Sequence, residues 1–146
     1  MCLTRDPDFL DGVGSQTVGR SAQIVGIEYE NYNLFLDTIG QGDLHNQDAP
    51  CAVCEVPRTA VLMVPSKRTC PQGWTMEYEG LLMAQWWNHE GKGEYECVSL
   101  GMETVEGGYA NNDGAHWYVV ETLCGKSLPC PPYEDGFELS CVVCTK

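Results

Sequence analysis

The nine cysteines of this chain are its most chemically capable residues. Two pairs have Cys-x-x-Cys spacing, Cys51 with Cys54 and Cys141 with Cys144. That spacing serves zinc ligation, dithiol exchange or structural crosslinks. Zinc is disfavoured, because 86 residues separate Cys54 from Cys141 and no paired histidines lie nearby. A thioredoxin-like couple needs its motif at a helix N-terminus beside a parallel sheet, whereas Val53, Val142 and Val143 between these thiols favour extended chain. Structural disulfides are therefore expected, and such cysteine density belongs to an oxidising compartment. Arg5, Asp6 and Asp8 interrupt the N-terminus, so no signal peptide is visible. The expectation is a secreted, extracellular protein whose given sequence starts downstream of its export signal.

Other ligating residues have weaker patterns. His45, His89 and His116 are the only histidines. They lie far apart with no HxH or HExxH spacing, so a metal triad is not expected. Asp6, Asp8 and Asp11, or Asn111, Asn112 and Asp113, offer oxygens to Ca²⁺, but neither set follows the EF-hand loop. Solvated acidic turns are the plainer reading of both, and no cofactor is expected beyond that weak Ca²⁺ candidacy. Trp86-Trp87-Asn88-His89 is the most conspicuous cluster. Neighbouring strand residues point to opposite faces, so one tryptophan is free to stack on a sugar or to form an assembly patch. The plainer alternative has both tryptophans filling core or subunit contacts. Neither a GxSxG motif nor a P-loop occurs, and nothing selects a catalytic pair among 21 acids, so no enzyme is expected.

Charge narrows the partners. Eight basic residues face 21 acidic ones, a formal charge of −13 over 146 residues. Phosphate backbones and anionic lipid repel such a surface, which argues against nucleic acid and membrane partners. The longest aliphatic run, Val61 to Val64, is far too short to cross a bilayer. Arg58, Lys67 and Arg68 form the one dense basic stretch, read either as neutralising an acidic neighbouring subunit or as a solvated strand edge.

The elements that must position these residues read as strands. Gln23 to Tyr29, Thr59 to Val64, Thr75 to Glu79, His116 to Leu123 and Glu138 to Cys144 are β-branched, aromatic or alternating. Met76 and Tyr78 are expected on one face, Glu77 and Glu79 on the other. Asn111 to Gly114 signals a hairpin turn. Residues 1–22 read as loop. Sixteen glycines and eight prolines interrupt the chain too often for long helices, so the fold class is all-β and loop-rich.

An internal repeat organises these strands. Pro50-Cys51-Ala52-Val53-Cys54 resembles Ser140-Cys141-Val142-Val143-Cys144, Cys2-Leu3 resembles Cys97-Val98, and the strand of Glu28 resembles that of Glu121. Two homologous β units follow, 1–55 and 56–146, the first lacking the leading stretch that holds Cys70 in the second. The first unit has no counterpart of Cys124 or Cys130, so those two are expected to pair. Cys141 and Cys144 then each take one of Cys70 and Cys97, in an order the spacing leaves open.

Cys51-Ala52-Val53-Cys54-Glu55-Val56-Pro57, Val64-Pro65, Cys70-Pro71-Gln72-Gly73-Trp74 and Gly80-Leu81-Leu82-Met83 resemble the collagen IV C-terminal noncollagenous domain. With Cys130-Pro131-Pro132-Tyr133, Cys141 to Cys144 and the Leu44 to Cys54 segment, the chain is closer still to the C-terminal domains of spongin-type short-chain collagens and their collagen-free secreted relatives. The resemblance implies a disulfide-rich tandem of β units, extracellular placement, and assembly as a homo- or hetero-oligomer with related chains. It implies the pairs Cys70–Cys144, Cys97–Cys141, Cys124–Cys130 and Cys2–Cys51, with Cys54 unpaired or interchain. No Gly-X-Y tract is present, so the chain is not itself a triple helix. The expected function is a matrix-type structural and assembly domain. A lectin-like module binding a glycan or matrix partner through Trp86, Trp87 and His89 is the alternative, and a secreted enzyme a weaker one.

Overall fold

The computed structural model describes residues 2–9, 24–30, 40–89 and 93–146. The described residues contain no helix and seven strands: β1 (Ile27–Tyr29), β2 (Gln47–Asp48), β3 (Val61–Pro65), β4 (Thr75–Ala84), β5 (Glu96–Ser99), β6 (Ala115–Val119) and β7 (Ser140–Thr145). They join one mixed sheet in the order β2-β1-β6-β4-β7-β3, with β5 also on β4. The β1–β6 pair is parallel and the other pairs are antiparallel. Residues 1–55 contribute β1 and β2, and β1 docks on β6 in the same sheet as the remainder. Among the described residues no helix is long and apolar enough to cross a membrane.

Strand β4 is the hub. Its first half pairs with β7 from Thr75↔Thr145 to Leu81↔Ser140. Its second half pairs with β5 from Gly80↔Ser99 to Met83↔Glu96, and its end meets β6 at Met83↔Val119 and Ala84↔Tyr118. Leu81, Met83 and Val98 pack with Tyr29 and Leu44 in one core, and Met83 is fully buried. Leu82, Cys97 and Cys141 form a second core on the opposite face. The alternation along Leu81-Leu82-Met83 thus feeds two apolar faces, which makes this stretch apolar throughout rather than every second residue.

Four disulfides tie the sheet: Cys2–Cys51, Cys70–Cys144, Cys97–Cys141 and Cys124–Cys130. Cys97 and Cys141 lie on strands flanking β4, yet their Cα atoms are 5.7 Å apart. Strands two apart in a flat sheet are separated by roughly 9–10 Å. The sheet therefore folds sharply across β4 at Gly80, the residue paired with Cys141 on one side and Ser99 on the other. Gly80 permits this because a Cβ there would lie 2.0 Å from the Val98 carbonyl oxygen and 3.2 Å from Cys97 Sγ.

Several expectations need correction. Met76 and Tyr78 do not share a face. The register shifts between them, so Met76 opposes Cys144 and Tyr78 opposes Val143, adjacent residues that point to opposite faces. The Cys51–Cys54 segment is irregular and exposed, whereas Cys141–Cys144 lies on β7 with both thiols buried. The turn before β6 does not close a hairpin, because β5 and β6 both pair with β4 rather than with each other. The strands cover Ile27–Tyr29 and Ala115–Val119 of the expected Gln23–Tyr29 and His116–Leu123 runs, Gln23 lying outside the described residues, while Val120 and Thr122 still make backbone hydrogen bonds to Leu82, Leu139 and Phe137. Glu121 is left in a single bridge to Glu138.

Candidate functional site

Alternation on two adjacent strands builds the most unusual part of the molecule. Along Ile27-Glu28-Tyr29-Glu30, Tyr29 turns into the core, so Glu28 and Glu30 take the opposite face. Strand β6 lies parallel beside them, Glu28 opposite His116 and Tyr29 opposite Trp117. The Tyr29 and Trp117 rings meet at 6.0 Å on the core side, which leaves His116 and Tyr118 on the carboxylate side. The Glu30 N–H donates to the Trp117 carbonyl and continues this register by one residue.

Three histidines from distant stretches converge on that face. His45 Nδ1 lies 3.3 Å from Glu30 Oε2. His116 Nε2 lies 4.0 Å from Glu30 Oε1 and 3.9 Å from Asp113 Oδ1, too far for hydrogen bonds. The His89 ring packs 5.6 Å from that of His116, and Trp86 packs 5.6 Å from both His89 and Tyr118. One ligand atom from each of Glu28, Glu30 and His116 falls within 4.8 Å of the others.

The electrostatics of this cluster are unbalanced. Glu28 is 3% exposed and Glu30 6%. Glu28 Oε1 accepts the Asn112 N–H at 2.9 Å, but Oε2 has no hydrogen-bond partner, and neither ring nitrogen of His116 has one. Buried carboxylates ordinarily pair with cations or accept several hydrogen bonds, because removal from water costs several kcal/mol per charge in rough terms. Among the described residues, Arg58 and Arg68 are engaged elsewhere. Arg58 bonds Glu77 and Thr145, and Arg68 bonds Glu79 at 3.1 and 3.2 Å. The basic stretch thus neutralises carboxylates of its own chain, while Lys67 stays exposed.

The Trp86-Trp87-Asn88-His89 cluster follows the end of β4 in a turn rather than on a strand. Neither tryptophan enters the core: Trp86 is 46% exposed and Trp87 77%. Both line an open groove of about 850 Å³ with Tyr95, Tyr118, Glu121 and Asp135. Asn88 is exposed and His89 half-buried. Trp86 and His89 therefore join the aromatic groove to the histidine–carboxylate cluster. Asp6 and Asp8 are exposed, and Asp11 lies outside the described residues. Asn111, Asn112 and Asp113 are exposed, with the Asn112 N–H donating to Glu28 and Asp113 lying 3.9 Å from His116.

Cys54 is an exposed free thiol. The Tyr78 hydroxyl is pushed up first by burial, then by Glu96 and then by Cys54. Val53 beside Cys54 is exposed, as are Val61 and Leu62 on β3 and Met76 on β4, and β3 ends the strand order.

Sequence reasoning missed Glu30 altogether and treated Glu28 only as a repeat landmark. Their alternation with Ile27 and Tyr29 was the available signal, but carboxylates opposite an apolar face ordinarily meet water. The convergence of the histidines depends on the parallel β1–β6 pairing, which no local spacing encodes. Comparison with protein-family models, curated proteins and solved structures found no match.

Proposed function

We propose that this protein is an extracellular assembly module, a disulfide-stapled β body that joins other protein chains rather than transforming a substrate. The carrying observation is Cys54: eight cysteines are paired within the chain and the ninth is exposed. An exposed thiol does not persist in the oxidising compartment that these crosslinks require, so a mixed or interchain disulfide is its chemical destination. The exposed apolar residues of β3 and β4, with β3 at the end of the strand order, provide a surface that a second chain can cover. The resemblance to collagen noncollagenous domains points to related chains as partners. Electrophoresis without reductant, with sedimentation of the purified chain, tests this. A covalent oligomer that collapses with reductant or in Cys54→Ser supports it; a monomer under both conditions refutes it.

The groove favours a second reading. Two exposed tryptophans with Tyr95, Tyr118 and two carboxylates, in a cleft of about 850 Å³, suit stacking on a sugar ring with hydrogen bonds to its hydroxyls. A glycan array reports on it directly. Signal that disappears in Trp87→Ala supports recognition of carbohydrate, and a blank array removes it.

A further inference from the structure

We propose that Glu28, Glu30 and His116 form a binding site for a first-row transition dication such as zinc. Two independent observations converge. The geometric one is that ligand atoms of all three residues lie within 4.8 Å of one another on one face of the β1–β6 pair. On a tetrahedral zinc with bonds of about 2.0–2.1 Å, neighbouring ligand atoms stand about 3.3 Å apart. A contraction of up to about 1.5 Å, within reach of side-chain rotation, closes the set on one ion.

The second observation is unmet bonding capacity. Glu28 is almost wholly buried, its Oε2 has no hydrogen-bond partner, and both His116 ring nitrogens lack one. Two nearly buried carboxylates with no arginine or lysine among their described ion pairs need a positive charge beside them. A divalent cation supplies it and uses the unsatisfied atoms at the same time. The surrounding groups fit this role. The Asn112 N–H holds Glu28 Oε1, and His45 stands against Glu30 Oε2, so both carboxylates are oriented by neighbours that surround the ligand set. Glu28 and Asn112 also line a cleft of about 470 Å³, a route for an ion from solvent. The imidazole selects the metal class. Calcium takes six to eight oxygens, whereas one imidazole with two carboxylates suits zinc and its neighbours. Three protein ligands leave a fourth position for water or an external donor.

The test uses the full chain carrying Cys54→Ser, so that no free thiol competes, after chelator treatment and dialysis. Titration with Zn²⁺ alone is expected to show one saturable site per chain, and Co²⁺ to give visible d–d absorption bands. Ca²⁺ at equal concentration is expected to show no site. Glu28→Gln, Glu30→Gln and His116→Gln are each expected to weaken Zn²⁺ binding tenfold or more. Glu28→Gln carries a sign reversal. It keeps the acceptor for Asn112 and removes an uncompensated charge, so the metal-free melting temperature rises. The rise that Zn²⁺ produces in the parent is lost. Glu28→Gln and Glu30→Gln are isosteric and decide the matter if His116→Gln does not fold. The proposal is overturned by absence of saturable Zn²⁺ binding, which would leave histidine–carboxylate pairing as the cluster's only role. It is equally overturned by binding that survives all the variants that fold.

Discussion

Replacing Gly80 with alanine tests the sharp fold of the sheet at its hub. The added Cβ would lie 2.0 Å from the Val98 carbonyl oxygen and 2.7 Å from its carbonyl carbon. Both atoms are backbone, so no side-chain rotation relieves the contact. Strand β5 has to retreat by more than about 1 Å, yet Cys97 on that strand is bonded to Cys141 on the far side of β4. Overpacking of this kind costs about 1–3 kcal/mol, and each ladder hydrogen bond lost from β4–β5 adds about 1 kcal/mol. A destabilisation of about 2–5 kcal/mol follows, a large share of the total for a domain of this size. Gly26→Ala is the matched control, because nothing lies within 4 Å of its added Cβ and its backbone angle is ordinary. That control is expected within about 0.5 kcal/mol of the parent, or slightly more stable through a less flexible unfolded chain. Urea unfolding followed by tryptophan fluorescence measures both. A Gly80→Ala protein as stable as Gly26→Ala would show that β5 and β7 do not close over β4 as described.

Three further outcomes follow from the same structure. Removing Cys97–Cys141 by paired alanine substitution is expected to cost about 4 kcal/mol in the chain-entropy model, against about 2 kcal/mol for Cys124–Cys130, because the bridges span 44 and 6 positions; denaturant midpoints in the same order check this, and the reverse order would contradict it. Hydrogen bonds from Thr145 and Arg58 hold the Glu77 carboxyl below the usual glutamate range. This stabilising contribution is present above the ordinary value of about 4.3 and is lost as pH falls through the lower folded value; Glu77→Gln should flatten the acid limb of a stability–pH curve. Burial, and then Glu103, pushes the Tyr29 hydroxyl up, so its contribution is present below the ordinary value of about 10 and is lost as pH rises through the folded one. Spectrophotometric titration should show one fewer late-ionising tyrosine in Tyr29→Phe than in the parent, with Tyr78 still late in both.

How much of the molecule was legible in the residues differs from element to element. Thr59-to-Val64 and Glu138-to-Cys144 announced β3 and β7, because β-branched runs bounded by turn formers have few other uses. Residues 81–84 and strand β5 stood out only as a motif and a repeat landmark, and were not expected as strand. Leu81-Leu82-Met83 lacks the period-two alternation of a half-exposed strand, since both of its faces are buried. The tryptophan cluster stood out by composition, but its place in a turn at the rim of a groove did not.

By itself, the sequence determined the chemistry that is independent of long-range contact. Cysteine density implied crosslinks, breaker frequency excluded long helices, and the odd cysteine count required one thiol without an intrachain partner. Only the tertiary structure decided which groups became neighbours. Glu28, Glu30 and His116 meet because a parallel strand pair joins segments nearly ninety positions apart, and His89 reaches them from the end of β4. A side-chain pattern specifies which face of a strand a residue takes, by the period of two. It does not specify which other strand lies alongside, because that choice is made by the packing of the whole sheet.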